Sequence, residues 1–473
     1  MTVVAALDRE DSQASTAVKS MLSTVRAPGC RYYLGWRGHA DSSRSVDDLA
    51  EPGSPLALGV AAESGAPTSR LLSQDGWCAA LEGYLLHGRD PTESMGKGPH
   101  RLMEALIELE GAFSCITATR LLVAYRDPLG RVPLYVADSG RWLLLATRKR
   151  CIWGNSPRDP ELLPPGRIVR YAKGRMSVSR PSVRWPQHPR PVSPRDAARK
   201  VAALLLDAVG RWSAGLDASA LAFSGGLDSG LLAYLAKELV ALRLITVDFA
   251  QSGEYLGQAE RAASILALPI RLMTPSKSET EERLRDVVWG CESADRISVE
   301  TALPIFCVSR EARQMAYTSI LTGHGADELF GGYMRYLRSM KRDPSMTFQR
   351  MRLDFLNLQR RDLETDFKAC ASNSLSLRLP YTDVQLARYV LSLPPSLRVD
   401  VNSGVRKLVL RDAARLLGCP RQIADAEKKA VQYSTGASKM LRIIAREQNR
   451  TVGSFLSGLL DAAKRSAKEQ GLL

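Results

Sequence analysis

A chain of 473 residues is too long for one ordinary hydrophobic core, so two or three domains are expected. Hydrophobic content of 45% beside 24% charged residues is that of a soluble globular protein rather than a disordered one. No transmembrane run is present, and Met1–Leu7 meets Asp8-Arg9-Glu10-Asp11 without a basic leader, so the expected compartment is the cytoplasm. A net charge of +15 would suit a polyanion, but the cations fall in short groups such as Arg148-Lys149-Arg150 and Arg360-Arg361. A solvated basic surface is favoured over nucleic-acid binding. The eight cysteines have neither Cys-x-x-Cys spacing nor neighbouring histidines, which argues against a disulfide framework and a zinc site.

Residues 1 to about 180 read as short strands separated by turns, an α+β half. Arg31–Trp36, Trp77–Leu81, Ser114–Ala118 and Leu121–Tyr125 have strand character, and Arg101–Leu109 has that of a helix. Leu109-Glu110-Gly111-Ala112-Phe113, Arg126-Asp127-Pro128-Leu129-Gly130-Arg131-Val132-Pro133-Leu134-Tyr135 and Leu162-Leu163-Pro164-Pro165-Gly166 resemble the class II glutamine amidotransferase domain carried by asparagine synthetases. That resemblance implies an Ntn-hydrolase-like fold. It also implies an N-terminal cysteine nucleophile, but Thr2 stands there, no cysteine precedes Cys30, and Leu81-Glu82-Gly83-Tyr84 replaces the family's Asn-Gly-Glu segment. The domain therefore reads as a scaffold without glutaminase activity. Proline-rich Pro181–Pro194 marks its end.

From about 196 helices and strands alternate. Ala197–Gly210, Gln258–Leu266 and Glu279–Val288 read as helices, and Leu242–Phe249, Pro269–Met273 and Ser319–Thr322 as strands. That order predicts a doubly wound parallel sheet with ligands outside the carboxyl ends of its strands. Beyond 340 the chain reads as mostly helical. Between an apolar strand, Ala218–Phe223, and an apolar helix lies Ser224-Gly225-Gly226-Leu227-Asp228-Ser229. Glycines let a polyanion approach the backbone, and the new helix turns its amides and positive dipole end toward it. The Gly-Lys-Ser/Thr ending of a Walker loop is missing, and Asp228 is a carboxylate that a phosphate site tolerates through a metal such as Mg²⁺. The segment resembles the PP-loop of ATP pyrophosphatases.

After the strand at 319 comes Thr322-Gly323-His324-Gly325-Ala326-Asp327-Glu328-Leu329-Phe330-Gly331-Gly332-Tyr333. It resembles the pyrophosphate-side motif of asparagine synthetases and of their β-lactam synthetase and lasso-peptide cyclase relatives. The resemblance implies that Asp228 and Asp327 hold Mg²⁺ on the phosphates of ATP. Ser224, Gly225, Gly226, Leu227, Ser229, Gly323 and Gly325 would cradle those phosphates, with Val247 beside the adenine. Glu292, Asp295 and Pro304 fall in the family's acyl-substrate region, and Glu427–Tyr433 parallels the segment carrying a catalytic lysine, matched by Lys428 with Lys429 in reserve. His324 stands where asparagine synthetases have glutamate and β-lactam synthetases have a tyrosine paired with a distant glutamate. An imidazole there is a base near neutral pH, and Asp366 is the acid nearest the partner position.

The expected molecule is thus α/β, an amidotransferase-like domain over 1–180 followed by a PP-loop synthetase domain over 196–473. Its expected activity is ATP- and Mg²⁺-dependent: it adenylates a carboxylate and passes the acyl group to an amine, on small-molecule or peptide substrates, with no membrane partner and a homodimer compatible with the reading. Ammonia-dependent asparagine synthesis and RNA modification by a PP-loop enzyme are the rival expectations.

Overall fold

The computed structural model describes residues 2–25, 30–36, 39–63, 69–74, 76–86, 110–119, 121–172, 175–179, 181–250, 254–360, 362–426 and 435–473. The helix expected at Arg101–Leu109 and both candidate lysines, Lys428 and Lys429, lie outside the described residues. Two compact units result, Met1–Val183 with Gly458–Leu473, and Arg184–Ser457.

The first unit holds strands β1 (Thr2–Asp8), β2 (Cys30–Trp36), β3 (His39–Ser43), β4 (Leu56–Glu63), β5 (Ser69–Gln74), β6 (Trp77–Leu85), β7 (Gly111–Ala118), β8 (Leu122–Arg126), β9 (Tyr135–Asp138), β10 (Trp142–Ala146), β11 (Glu161–Leu162), β12 (Ile168–Ala172) and β13 (Arg175–Val178). They form two antiparallel sheets, ordered β11-β9-β10-β1-β4-β2-β3 and β13-β12-β8-β7-β6-β5. Alternation along β1 sends Val3 and Ala5 into the core that also holds residues of β6, β7 and β8. Val4 and Ala6 go to a second core with Val18, Met21 and Leu22 of the helix Ala14–Ser23.

The motif at Arg126–Tyr135 acts as an internal clamp. Arg126 donates to the carbonyl oxygens of Val132 at 3.0 Å and Gly130 at 2.6 Å. Asp127 accepts from the amides of Leu129 and Arg131 and pairs with the Arg131 guanidinium at 2.8 Å, with both side chains almost wholly buried. Thr2 is buried as well. Its hydroxyl lies 2.9 Å from that of Thr147, which donates in turn to Glu82, and Arg148 lies 3.6 Å from the same carboxylate. The residue at the nucleophile position is therefore tied into a closed polar cluster.

The second unit is built on a five-stranded sheet, β14 (Ala218–Ala222), β15 (Ala241–Val247), β16 (Ile270–Met273), β17 (Ser319–Leu321) and β18 (Ser376–Arg378), ordered β16-β15-β14-β17-β18 with every pairing parallel. From β14 the chain builds outward first through β15, then on the other side through β17. The strand order reverses there, and a crevice opens at the carboxyl ends of β14 and β17. The sequence reading has no β18, because Ser376-Leu377-Arg378 sets one apolar residue between two polar ones and shows no buried run. Ser276 and Glu279 close a capping box on the helix Lys277–Cys291, and Asp295 caps Arg296–Gln314 through the Ser298 amide.

The unit boundaries differ from the domain reading at the C-terminus. Gly458–Leu473, read with the synthetase domain, groups with the first unit, where Lys464 lies over the Trp153 ring at 4.2 Å. An amphipathic tail carries no local code for the partner it packs on. Among the described residues no helix is long and apolar enough to cross a membrane.

Candidate active site

The turn after β14 places Ser224 at the crevice. Its hydroxyl lies 3.0 Å from that of Ser229, and its amide donates to the same oxygen at 3.1 Å, so the loop is braced by its own side chains. Gly225 has φ +72°, and a Cβ there would sit 2.8 Å from Ala259 Cα. Only glycine combines that dihedral with that approach. Gly226 caps the helix Leu227–Ala236, which carries Asp228 in its first turn, and Leu227 is buried beneath it. The Tyr381 hydroxyl donates to the Asp228 carbonyl at 2.9 Å.

Asp327 arrives from the neighbouring strand, in the first turn of the helix Ala326–Phe330. Between the two aspartates lies a residue the sequence reading missed, Lys407. Its ammonium is hydrogen-bonded to Asp228 Oδ2 and lies 2.6 Å from Asp327 Oδ1, and the side chain is 1% exposed. Lys407 has φ +62°, a strained conformation for a non-glycine residue. The strain is held by neighbours, since Arg406 donates to the Gly332 carbonyl at 2.7 Å and Val399 bridges Arg406. A signal for Lys407 existed. A cation just before the N-terminus of the helix Leu408–Leu416 opposes that helix's dipole, which points to a stronger partner elsewhere.

Gly332 makes the convergence possible, because a Cβ there would come within 1.9 Å of Asp327 Oδ1 and 2.5 Å of Lys407 Cε. Gly332→Ala should therefore push the carboxylate and the ammonium apart and lower the melting temperature, as thermal unfolding would show. A melting curve like the wild type's would contradict this packing.

The two aspartates could hold a divalent cation. Asp228 Oδ1 is buried without a hydrogen-bond partner. Among the described residues no group of three or more His, Cys, Asp or Glu is placed to enclose a metal. Mg²⁺ suits such a site, since it takes one or two carboxylates and completes its shell with phosphate and water.

Beside the aspartates a cavity of about 640 Å³ opens. Ser224, Asp228, Ser229, Val247, Asp295, Pro304, Gly323, His324, Gly325 and Asp327 of the sequence reading all line it. Glu292 does not: it is 3% exposed and pairs with the buried Lys368 at 3.1 Å, so this carboxylate anchors the helix Asp362–Ser372. Asp295 reaches the cavity as the cap of its helix.

His324 and Asp366 come together. Nδ1 of the imidazole lies 2.7 Å from Oδ2 of Asp366, whose side chain is fully buried while the ring is 31% exposed. Burial works against the imidazolium, but the Asp366 charge, aided by Asp362 and Glu328, outweighs it and raises the His324 pKa to about 9. Glu328, also missed in the sequence, lines the cavity and accepts from the Tyr333 hydroxyl at 2.6 Å. Burial, with Asp327 nearby, pushes its carboxyl up to about 7. The site thus combines a glycine turn, two carboxylates around the Lys407 ammonium, and an imidazole that faces the cavity with a buried carboxylate behind it.

The asparagine synthase family matches this chain over residues 200–348 and 345–468. Among similar proteins, a putative glutamine-hydrolysing asparagine synthetase of Methanocaldococcus jannaschii is 27% identical over 409 residues, 75% of each chain. A probable asparagine synthetase of Schizosaccharomyces pombe is 26% identical over 64% of this chain and 58% of its own length. Asparagine synthetase B of Escherichia coli is 23% identical over 45% of this chain and 40% of its own.

Proposed function

We propose that this chain, which belongs to the asparagine synthase family, uses ATP to join a substrate carboxylate to an amine without hydrolysing glutamine. Asparagine synthetases are ATP-dependent carbon–nitrogen ligases. In the proposed reaction the carboxylate attacks the α-phosphorus of ATP, pyrophosphate leaves, and an amine displaces AMP from the acyl-adenylate. Ser224, Ser229 and the amides of the turn bind the phosphates. Lys407 offsets their charge, and Asp228 and Asp327 would hold Mg²⁺, which when bound supplies further neutralisation of the leaving pyrophosphate.

His324 then takes the proton from the attacking amine, with Asp366 fixing the ring and holding the resulting imidazolium. His324, backed by the buried Asp366 and lining the same cavity as both aspartates, is the observation that supports this reading best. An imidazole held by a carboxylate at the cavity, able to take the amine's proton from its neutral fraction, favours an amine-specific, natural-product type of ligase over one using ammonia. Asp228→Asn and Asp327→Asn should each abolish ATP–pyrophosphate exchange across a panel of carboxylates. Exchange near the wild-type rate in either variant would sink the assignment.

A second reading, ammonia-dependent asparagine synthesis, draws on the names of the relatives. Exchange driven by aspartate, with ammonia giving asparagine faster than any amine gives its amide, would establish it instead. In either case glutamine should yield no glutamate, because the Thr2 hydroxyl is committed to that of Thr147, which donates in turn to Glu82. Glutamate release that disappears in Thr2→Ala would overturn that expectation.

A further inference from the structure

We propose that the helix pair Met334–Arg342 and Pro344–Leu356 docks an acidic polypeptide that presents a reacting group to the cavity, an inference that rests on the ligase reading above. Both helices reach the cavity rim. Arg335 lines the cavity at the start of the first, and Arg360 lines it just beyond the second. Arg335, Arg338 and Arg342 stand at i, i+3 and i+7, one stripe along the first helix. On the second, Met346, Arg350 and Leu353 stand at i, i+4 and i+7, all exposed.

The inner faces are already used. Tyr336, Phe348 and Phe355 are buried, Trp185 packs on Phe355, and Arg352 donates to the Pro186 carbonyl. Outward, Arg338, Lys341, Arg342, Arg350 and Arg360 make no ion pair among the described residues. The first helix carries four cations and no acid. Set among these cations, Met346 is 60% and Leu353 50% exposed.

That surface selects its partner by chemistry. Five unmatched cations call for an anionic occupant, and the exposed Met346 and Leu353 add apolar contacts that a phosphate backbone cannot use. Nucleic acid is disfavoured, because the aromatic rings of both helices are turned inward and leave no platform for bases. A small anion would not need two stripes, each running roughly 10 Å along its helix. An acidic chain with interspersed apolar residues satisfies both features.

The test uses the full-length protein, a fluorescent peptide rich in glutamate and leucine, and anisotropy at low fixed ionic strength. Arg338→Glu with Arg342→Glu, and separately Arg350→Glu with Leu353→Asp, should each weaken binding by about tenfold or more. Arg446→Glu at the end of the helix Ala437–Glu447 with Arg450→Glu just beyond it, both exposed, changes net charge as much as the first pair and more than the second, and should stay within about twofold of wild type. No binding by the wild type, equal loss in the control pair, or tighter binding of single-stranded RNA or phosphatidylglycerol vesicles than of the peptide would each overturn the proposal. Pyrophosphate exchange with a small carboxylate should be unchanged in every variant. Its absence from the wild type would count against the ligase reading, whereas a peptide indifferent to the reversals counts against the docking surface.

Discussion

Lys407→Ala should lower the stability of the ligand-free protein by about 3–5 kcal/mol, the usual cost of breaking a buried ion pair by removing one partner, and abolish pyrophosphate exchange. The ammonium is 1% exposed, and the aspartates it joins are 15% and 16% exposed. Without it two carboxylates share one poorly hydrated site, and like charges so placed oppose folding. Lys407→Met keeps most of the volume and removes the charge, so it should be about as unstable as the alanine variant if electrostatics governs. Adding Asp327→Asn to Lys407→Ala should recover part of the loss, since the repulsion then disappears. Mg²⁺ alone should raise the urea midpoint of Lys407→Ala more than that of the wild type, because a divalent cation can take the vacated position between the oxygens. A midpoint unchanged by the substitution, or restored by methionine, would show that the contacts among these three residues carry little energy.

Legibility followed how tightly chemistry restricts residue type. A tight turn with a left-handed φ at Gly225, braced by the hydroxyls of Ser224 and Ser229, restricts residue type closely, so the strand–turn–helix at Ser224–Ser229 could be read from the chain alone. The parallel sheet was equally plain, because largely buried strands such as Leu242–Val247, apolar but for Arg243 and Thr246, alternate with helices along the chain. The same property hid β1 and β4. Both are rich in alanine, buried on two faces, and lack the alternation that marks a half-exposed strand. Lys407 was hidden differently, since its partners lie 179 and 80 positions away and nothing nearby marks it apart from a neighbouring helix dipole. Glu292 shows the converse. Its place in a family segment suggested a substrate contact, yet only the fold could reveal that Lys368 claims its charge.

His324→Ala should form the acyl-adenylate at a near-normal rate but release product ~10²–10⁴-fold more slowly, the usual worth of a general base. The pH dependence makes the prediction sharper. With a pKa raised to about 9, the imidazole is protonated at neutral pH, and only its neutral fraction can accept a proton from the amine. In the wild type, acyl transfer should therefore rise about tenfold per pH unit from neutrality and level off near pH 9, while adenylation stays flat. Asp366→Asn removes the charge that raises the pKa, so the inflection should move down toward the ordinary value of 6.5 while the plateau rate falls, because a weaker base is left. The stability linkage has a definite sign. A pKa raised on folding gives His324 a stabilising contribution that is complete below about 6.5 and lost as pH climbs through about 9, so wild type and His324→Gln should differ in unfolding free energy at pH 6 and converge near pH 10. Single-turnover quench with labelled ATP separates the two half-reactions. Equal loss of both in His324→Ala, or an inflection that Asp366→Asn leaves in place, would mean that the ring supports the motif's shape and that the amine loses its proton elsewhere.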